Sequence, residues 1–420
     1  MRVYISGISG TGMGPLALMA KAAGFEVFGS DLAEGAIYSE LKKAQIEVSI
    51  GVQDGHFLSA KLAEGIDWFV YTSALPKEHA ELKMALEAGV KCTKRDDFTA
   101  FLVERLGLKM VAVAGTHGKT TTTAMIVWAG LELGLPISYI VGTTLGFAPS
   151  GAYHEGDKFF VYEADEYDRN FLKYHPWLAV IPSVSYDHPD IYSTREDYES
   201  AFHQFEAQSE QVLQIRDGVV SVDGREALLN ADMFSLAGEA RRQDAALAAT
   251  AVWRMYGESG KDAIKTDELV EVLNRFPGVG RRFERLTDGL YTDYAHHPEE
   301  IEATIKIAQD ECAKVGRKGV IVIYQPHQNV RQHEVRDGYR EAFLGVDKVL
   351  WLPTYLTREN PKLSVIRPED FVADLVNAEI AEPAELDRTL ENRIKQFIKD
   401  GYLVLLMAAG PADDWLRKRF

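Results

Sequence analysis

The sequence predicts an α/β protein with mostly parallel sheets, divided into three domains. Short apolar, strand-like runs alternate along the chain with helix-length amphipathic segments, which is the pattern of stacked βα units. The length of 420 residues favours two to four domains. Three sections each open with a strand-like run, and we therefore expect domains at residues 1–107, 108–278 and 279–420.

The three opening runs are predicted buried strands at residues 2–6, 109–114 and 290–294. The first junction is placed near Gly107, where a charged helix meets the next apolar run. The second is placed in residues 276–280, where one Pro and two Gly break any helix. Such breaks suit the links between separately folded domains.

Composition and charge exclude several classes of protein. Hydrophobic residues make up 46% and charged residues 26%, as in folded proteins and unlike disordered or collagenous chains. The 63 acidic residues outnumber the 46 basic ones, and the net charge of -17 disfavours binding to nucleic acid or to an anionic membrane. With Cys92 and Cys312 as the only cysteines, neither a disulfide framework nor a Cys-based zinc site is expected.

The cellular location is predicted from hydropathy and cysteine use. The sequence contains no 18-residue apolar run and no apolar signal region. We therefore expect a cytoplasmic protein without membrane insertion. The oligomeric state stays open between a monomer and a homodimer.

A glycine-rich loop with a lysine follows the second opening strand and precedes a helical pattern, the context that phosphate binding requires. Its residues are Gly115, Thr116, His117, Gly118, Lys119, Thr120 and Thr121. Glycines let backbone N–H groups converge on phosphate oxygens, Lys119 adds a positive charge, and the Thr120 hydroxyl can reach a magnesium ion. Two residues separate Gly115 from Gly118, where the commonest loop of this kind has four. The motif predicts a nucleotide-phosphate site, and a glycine-rich turn with a surface lysine is the alternative.

Acidic residues and a histidine follow the later strands of the same section. Glu163 ends an apolar run, the placement that holds Mg²⁺ opposite a phosphate loop. His188 follows the run 178–181 and can bind a metal through its neutral imidazole. Taken alone, such residues are more often solvated or structural. Together with the loop, they predict a magnesium site formed by Thr120, Glu163 and His188.

A second glycine-rich loop lies at residues 7–14, between a strand and an apolar helix. It misses the strict G-x-G-x-x-G because Ser9 occupies the middle glycine position, while Asp31 falls at about the distance where an acid contacts a ribose. The loop fits a diphosphate-bearing nucleotide. A nicotinamide site and a purely structural turn stay open as alternatives.

Two nucleotide-phosphate loops in one chain suggest an enzyme that uses one nucleotide for energy and another as a substrate handle. On these motifs the sequence resembles the Mur ligases over essentially its whole length. The matching segments are residues 7–14, 29–31, 71–74, 114–122, 163–166, 280–283, 293–298 and 325–327. Several of these strings are weak singly, but the joint signal is specific.

The resemblance implies a Rossmann-like domain for a UDP-sugar at 1–107, a central P-loop ATPase domain with a mostly parallel sheet at 108–278, and a Rossmann-like domain at 279–420 that closes over the site. It implies ATP and Mg²⁺ as cofactors, with UDP-N-acetylmuramate and L-alanine, or a peptide, as substrates. ATP would convert the substrate carboxylate to an acyl phosphate, and the incoming amino group would displace phosphate to form an amide. Such a ligase acts in peptidoglycan precursor synthesis.

The resemblance also implies roles for individual residues. Catalysis is assigned to Lys119, Glu163, His188 and Arg331. ATP binding is assigned to the loop at 115–121 together with Arg282, Asp293, Tyr294 and His296. Substrate binding is assigned to Ser9, Gly10, Thr11, Gly12, Met13, Gly14, Asp31, Thr72, Ser73, His327 and Arg331, with His56 and Arg95 as further candidates on the sugar side. Arginine is suited to the carboxylate role assigned to Arg331, because its planar guanidinium donates two parallel hydrogen bonds. For both Arg331 and Arg282, the alternative is a solvent-exposed cation without a binding role.

The sequence departs from the family pattern in four places. No Lys occurs at 174–260, and Phe202 takes the place of a lysine that several Mur ligases carbamylate, so we expect metal binding without a carbamate. Residues 243–247 replace the adenine-side His-Asn-x-x-Asn, and Gln328 replaces the arginine that follows Gln-Pro-His. The stretch 204–236 looks shortened, with a hairpin at Asp217 and Gly218.

The acceptor stays open between two branches of the family. The string at 163–168 favours the recycling branch, which attaches a preformed tripeptide, whereas the strings at 280–283 and 325–327 favour the alanine-adding branch, which we prefer. Glycine or L-serine could replace alanine. Outside the family, the alternatives are a nicotinamide-dependent oxidoreductase and a non-catalytic UDP-sugar sensor.

Overall fold

The computed structural model describes residues 1–72, 75–188, 191–357 and 359–420. These residues form two compact units: the first consists of residues 1–235 and 242–277, and the second of residues 236–241 and 278–420. The first unit contains two sheets and the second contains one.

The N-terminal sheet of the first unit has five parallel strands in the order β3-β2-β1-β4-β5. Its elements are β1 (Arg2–Ser6), α1 (Gly14–Ala22), β2 (Glu26–Asp31), α2 (Tyr38–Lys43), β3 (Glu47–Ile50), α3 (His56–Glu64), β4 (Trp68–Tyr71), α4 (Ala80–Glu87), β5 (Lys91–Lys94) and α5 (Arg95–Leu106). The strand order reverses between β1 and β4. In open α/β sheets, ligands bind outside the carboxyl ends of the strands at such a switch point.

The central sheet of the first unit has eight strands in the order β13-β12-β11-β10-β6-β9-β7-β8. Its elements are β6 (Lys109–Val113), α6 (Lys119–Glu132), β7 (Ile137–Ile140), β8 (Gly151–Ala152), β9 (Phe159–Glu163), β10 (Leu178–Ile181), α7 (Arg195–Ala207), β11 (Val212–Arg216), β12 (Val219–Val222), β13 (Arg225–Glu226), α8 (Glu239–Glu258) and α9 (Thr266–Asn274), with short 3-10 helices at Tyr167–Lys173 and Ala231–Met233. Strands β6, β9 and β10 consist almost entirely of consecutive buried apolar residues, as expected for parallel strands covered on both faces. The expected hairpin at Asp217 and Gly218 joins β11 to β12 in antiparallel pairing.

The two sheets of the first unit share one apolar core. A single buried cluster includes Met19 of α1, Phe98 of α5 and Phe160 of β9. A polar contact joins the same regions, since the Glu40 carboxylate accepts hydrogen bonds from the Ser150 amide at 2.8 Å and the Ser150 hydroxyl at 2.9 Å. The two sheets of the first unit are therefore held in one packed body.

The second unit is built on a six-stranded sheet in the order β14-β15-β19-β16-β17-β18, parallel except for the pairing of β14 with β15. Its elements are β14 (Glu284–Thr287), β15 (Leu290–Asp293), α10 (Pro298–Lys314), β16 (Val320–Gln325), α11 (Asn329–Val335), α12 (Tyr339–Ala342), β17 (Lys348–Trp351), α13 (Pro368–Asp374), β18 (Ala381–Pro383), α14 (Arg388–Lys399), β19 (Leu403–Ala408) and α15 (Ala412–Arg417), with 3-10 helices at Arg336–Gly338 and Ala378–Ile380. Two separate apolar clusters cover the sheet.

The predicted α/β fold with mostly parallel sheets is confirmed. The three opening runs form β1, β6 and β15, within one residue of the expected ends. The division at 107 and 278 into three domains stays a prediction. Among the described residues, no helix combines the length and the apolar character needed to cross a bilayer.

Candidate active site

The loop between β6 and α6 presents backbone donors at the start of a helix. Gly118 has φ +82°, and a Cβ atom there would lie 2.7 Å from Asp244 Oδ1, so glycine is required for both conformation and space. The amides of Gly118, Lys119 and Thr120 donate to no other described residue. A helix N-terminus with such amides favours a bound anion, which fits the predicted phosphate site.

Lys119 places a fixed positive charge beside this loop. Its Nζ donates to the Thr116 carbonyl at 3.2 Å and forms an ion pair with Glu166 at 3.0 Å. Burial alone would lower the pKa of Lys119, but the charges of Glu166, Asp165 and Glu163 raise it above its ordinary value. Conversely, burial would raise the pKa of Glu166, but Lys119 and His188 lower it. Both members of the buried pair are therefore charged.

Thr120 and Glu163 form the part of the site that fits a magnesium ion. The Thr120 hydroxyl donates to Glu163 Oε1 at 2.8 Å. The other carboxylate oxygen, Glu163 Oε2, is buried and has no hydrogen-bond partner among the described residues. A hydroxyl and a carboxylate with an unsatisfied oxygen are suitable donors for Mg²⁺.

His188 reaches this cluster through Glu166. Its Nε2 lies 3.4 Å from Glu166 Oε1 and 3.7 Å from Asp187 Oδ2. The structure thus places Lys119, Glu166 and His188 in one connected group, whereas a direct role of His188 as a metal ligand stays a prediction.

Two buried acids of this region were not singled out by the sequence analysis. Glu166 belongs to the acidic string after β9, but its spacing alone did not distinguish it from Glu163 or Asp165. Asp244 lies where the family's adenine-side motif is replaced, and its Oδ1 accepts a hydrogen bond from Thr122 at 3.0 Å. Only the packing of α8 against the start of α6 reveals this contact.

Phe202, which the resemblance aligns with a carbamylated lysine, lies in an aromatic cluster. Its side chain is 1% exposed, and its ring lies 5.0 Å from that of Phe171 and 5.1 Å from that of Tyr198. These apolar surroundings are compatible with metal binding without a carbamate, which stays a prediction.

The first glycine loop joins β1 to α1 at the carboxyl edge of the N-terminal sheet. Asp31 holds it in place, because its carboxylate accepts hydrogen bonds from the amides of Ser9 and Leu32, both at 2.8 Å. Asp31 Oδ2 therefore holds the loop at Ser9, a role that the spacing did not indicate, and a contact of Asp31 with a ribose stays a prediction. The amides of Thr11 and Gly12 donate to no other described residue.

Other residues assigned to the sugar side, Gly10 and Thr72 among them, lie at this loop. Gly10 accepts backbone hydrogen bonds from Met13 and Gly14, which closes the turn into α1. Thr72 follows β4 and lies close to Gly7. Ser73 lies outside the described residues.

A buried carboxylate anchors the strands that lead into this loop. Glu81 of α4 is 1% exposed and accepts hydrogen bonds from the hydroxyls of Tyr4, Ser6 and Ser30 at 2.7, 2.8 and 2.7 Å. The network ties β1 and β2 to α4. It was not predicted, because nothing in the local sequence around Glu81 indicates burial.

In the second unit, Asp293 is buried at the end of β15. Its carboxylate accepts hydrogen bonds from the amides of Phe283 at 2.6 Å and Ala295 at 2.7 Å. Burial raises the pKa of Asp293, partly offset by the charge of Arg282. The Arg282 guanidinium lies over the Tyr294 ring at 5.1 Å. Asp293 thus orders the segment that carries these side chains.

His296, His327 and Arg331 lie around one edge of the second unit's sheet. The rings of His296 and His327 are 5.7 Å apart, and that of Tyr294 is 5.4 Å from His296. Burial raises the pKa of Tyr339 to about 12, and the charge of Arg331 on α11 is among the effects that oppose this rise. Whether these side chains bind nucleotide or amino acid stays a prediction.

Comparisons with known proteins support one family. Residues 2–105 match the Mur ligase family catalytic domain, and residues 113–244 match the Mur ligase middle domain. The UDP-N-acetylmuramate–L-alanine ligase of Rubrobacter xylanophilus is 31% identical over 404 residues, which cover 87% of each chain. The crystal structure of UDP-N-acetylmuramate-alanine ligase from Thermotoga maritima aligns with a TM-score of 0.76 and 22% identity, covering 100% of this chain and 98% of that one. That of a murein peptide ligase from Psychrobacter arcticus aligns with a TM-score of 0.63, 22% identity and the same coverage.

Proposed function

The chain belongs to the Mur ligase family, and on that basis we propose that it is an ATP-dependent ligase that joins L-alanine to UDP-N-acetylmuramate in peptidoglycan precursor synthesis. The γ-phosphoryl group of ATP passes to the lactyl carboxylate, which gives ADP and an acyl phosphate. The amino group of L-alanine then attacks the acyl carbon, the amide bond forms, and inorganic phosphate and a proton are released. No covalent enzyme nucleophile is needed, so positioning and electrostatics supply the catalysis.

The observation that carries this proposal is the cluster of Lys119, Thr120, Glu163 and Glu166 at one edge of the central sheet. The first step brings together two anions, the carboxylate and the γ-phosphate. The positive charge of Lys119 reduces this repulsion. It is effective because the buried site excludes the water that would otherwise screen it. Thr120 and Glu163 would hold Mg²⁺, which when bound neutralises phosphate charge.

The other assigned residues have binding roles in this proposal. The amides of Thr11 and Gly12 would bind the diphosphate of the sugar nucleotide. In the second unit, Arg331 and His327 would bind the carboxylate of L-alanine, and Arg282, Tyr294 and His296 would contact ATP. A cytoplasmic location accompanies the proposal because all its substrates are phosphorylated metabolites or a free amino acid.

A second candidate is the recycling reaction, in which a preformed tripeptide replaces L-alanine. The acidic string at 163–168 favours it. Both candidates use the same ATP chemistry and differ only in the acceptor amine.

The experiment measures the release of phosphate from ATP, with Mg²⁺ and UDP-N-acetylmuramate present. L-alanine, glycine, L-serine and the L-Ala-γ-D-Glu-diaminopimelate tripeptide are compared. L-alanine-dependent release supports the main proposal, and a preference for the tripeptide moves the assignment to recycling. Binding of NADH by a folded protein that releases no phosphate with any acceptor would favour the oxidoreductase. Binding of the UDP-sugar alone, without turnover, would favour the sensor.

A further inference from the structure

The turn that follows β9 contains two consecutive residues in the left-handed region of backbone conformation. Asp168 has φ +54° and ψ +25°, and Arg169 has φ +54° and ψ +27°. Neither is a glycine, and a side chain in this conformation crowds its own backbone. Such strain persists only where the surrounding structure compensates for it, and it occurs most often at functional sites. Contacts from outside the turn must therefore hold it.

An ion pair with α7 holds the side chain of Arg169. Arg169 Nη2 donates to both carboxylate oxygens of Asp197, each at 2.7 Å. Asp197 lies in the first turn of α7, where its amide donates to the hydroxyl of the N-cap residue Thr194 at 3.1 Å. The guanidinium also lies over the ring of Tyr192, 4.9 Å from its centre. Two residues outside the turn therefore fix the Arg169 side chain.

The same contacts reach the main chain of Glu166. The Glu166 carbonyl accepts a hydrogen bond from the Arg169 amide at 3.0 Å and another from the Tyr192 hydroxyl at 2.5 Å. The carboxylate of Glu166 forms the ion pair with Lys119 at 3.0 Å. Contacts thus run from Asp197, through Arg169 and Glu166, to the lysine beside the phosphate loop.

We propose that Arg169 is a positioning residue of the ligase. Its side chain, held by Asp197 and Tyr192, keeps the left-handed turn in the conformation that orients Glu166 toward Lys119. This inference rests on the proposed function, because it takes phosphoryl transfer beside Lys119 as the step that needs the lysine in place. Phosphoryl transfer depends on positioning and electrostatics, so a small displacement of the charged groups lowers the rate.

The alternative is an ordinary surface ion pair. The side chains of Arg169 and Asp197 are 40% and 35% exposed, and ion pairs of such exposure contribute little to the free energy of unfolding. Both roles therefore predict a small effect on unfolding. Only the positioning role predicts that kcat falls in a variant whose stability is nearly unchanged.

The experiment measures kcat and the KM for UDP-N-acetylmuramate in the wild type, R169G, R169K, D197A and the double variant R169G/D197A. Glycine adopts the left-handed conformation freely, so R169G removes the side chain without adding backbone strain. We expect kcat to fall about tenfold or more in R169G and D197A, and less in R169K, while the KM stays constant. Because Arg169 and Asp197 act as one unit, the double variant should lose no more than R169G.

Lys173 is the matched control, because it ends the same 3-10 helix and forms a similarly exposed ion pair with Asp97 at 3.1 Å. K173A should keep the wild-type kcat, and urea unfolding shows whether each variant is folded. Wild-type kcat in folded R169G would overturn the inference, and so would an equal loss of kcat in K173A. If R169G does not fold, D197A carries the test, and wild-type kcat in D197A would overturn the inference.

A crystal structure of R169G separates this inference from the proposed function. The inference predicts that the turn changes conformation and that Glu166 shifts relative to Lys119. An unchanged turn with an unchanged contact between Glu166 and Lys119 would overturn it. A folded wild type that releases no phosphate with any acceptor would overturn the proposed function, and the crystal structure would still decide whether Arg169 holds the turn.

Discussion

Thr120 and Glu163 meet at the carboxyl edge of the central sheet, where the Thr120 hydroxyl donates to Glu163 Oε1 at 2.8 Å. The contact follows from strand pairing. Strands β6 and β9 are parallel neighbours, and Val113, the last residue of β6, is in register with Glu163. The loop after β6 and the acid at the end of β9 are therefore at the same edge, although 43 residues separate the two side chains in sequence.

We expect E163Q to lower kcat by about 100-fold or more, because a neutral amide binds Mg²⁺ poorly and leaves the phosphate charge unbalanced. The measurement is phosphate release as a function of Mg²⁺ concentration, with the melting temperature as a check on folding. E226Q changes an exposed residue of β13 in the same sheet and should have no effect. Full activity in E163Q would contradict the assigned role.

Lys119 gives a second prediction. K119M should abolish measurable phosphate release while UDP-N-acetylmuramate still binds, since the proposed function places the lysine at the γ-phosphate and not at the sugar nucleotide. It should also lower the free energy of unfolding, by up to about 3–5 kcal/mol, because buried Glu166 loses the lysine charge and keeps only His188, at 3.4 Å, as a partner. Turnover, titration calorimetry and urea unfolding measure these three effects.

The matched control for Lys119 is Lys158, which lies before β9 and donates to the Ser259 carbonyl at the surface. K158M should behave as the wild type in all three measurements. If cells that carry K119M kept the wild-type function, the non-catalytic sensor would be favoured.

The Glu81 network predicts an effect on stability. E81A leaves the buried hydroxyls of Tyr4, Ser6 and Ser30 without their acceptor, and the free energy of unfolding should fall by about 2–4 kcal/mol. E78A removes an exposed ion pair with Lys83 and should cost less than about 1 kcal/mol. Urea unfolding compares the two variants, and equal midpoints would show that the network contributes nothing.

Arg331 is predicted to bind the carboxylate of the acceptor. R331K keeps the charge but loses the planar fork, so the KM for L-alanine should rise about tenfold or more. The KM values for ATP and UDP-N-acetylmuramate should not change. Arg336 forms a surface ion pair with Asp374 at 2.6 Å, and R336A is the control. If R331K raised all three KM values together, a general structural role would be indicated instead.

The parts of the fold that depend on local pattern could be predicted from the sequence. The runs that became β1, β6 and β15 are apolar and bounded by breaking residues, and the two glycine loops follow β1 and β6 directly. A phosphate-binding role of both loops could be predicted, because strand, loop and helix are consecutive in the chain.

Contacts between distant segments could not be predicted in this way. Asp244 meets Thr122 across 122 residues, and Arg95 approaches Gly12 and Asp165 from a separate helix. Each contact depends on the strand order and on how the helices pack. Asp31 adds a contact of the same kind, because its Oδ2 accepts a hydrogen bond from the Ser9 amide of the loop, which its distance from the loop did not indicate.

The most direct test of the ligase account follows the oxygen of the substrate carboxylate. UDP-N-acetylmuramate labelled with ¹⁸O in that carboxylate is incubated with ATP, Mg²⁺ and L-alanine. The masses of the amide product and of the released phosphate are then measured by mass spectrometry. The account predicts the L-alanyl amide, ADP, and phosphate that carries one labelled oxygen per turnover, because an acyl phosphate transfers that oxygen. Unlabelled phosphate, or ATP cleavage without the amide, would contradict it.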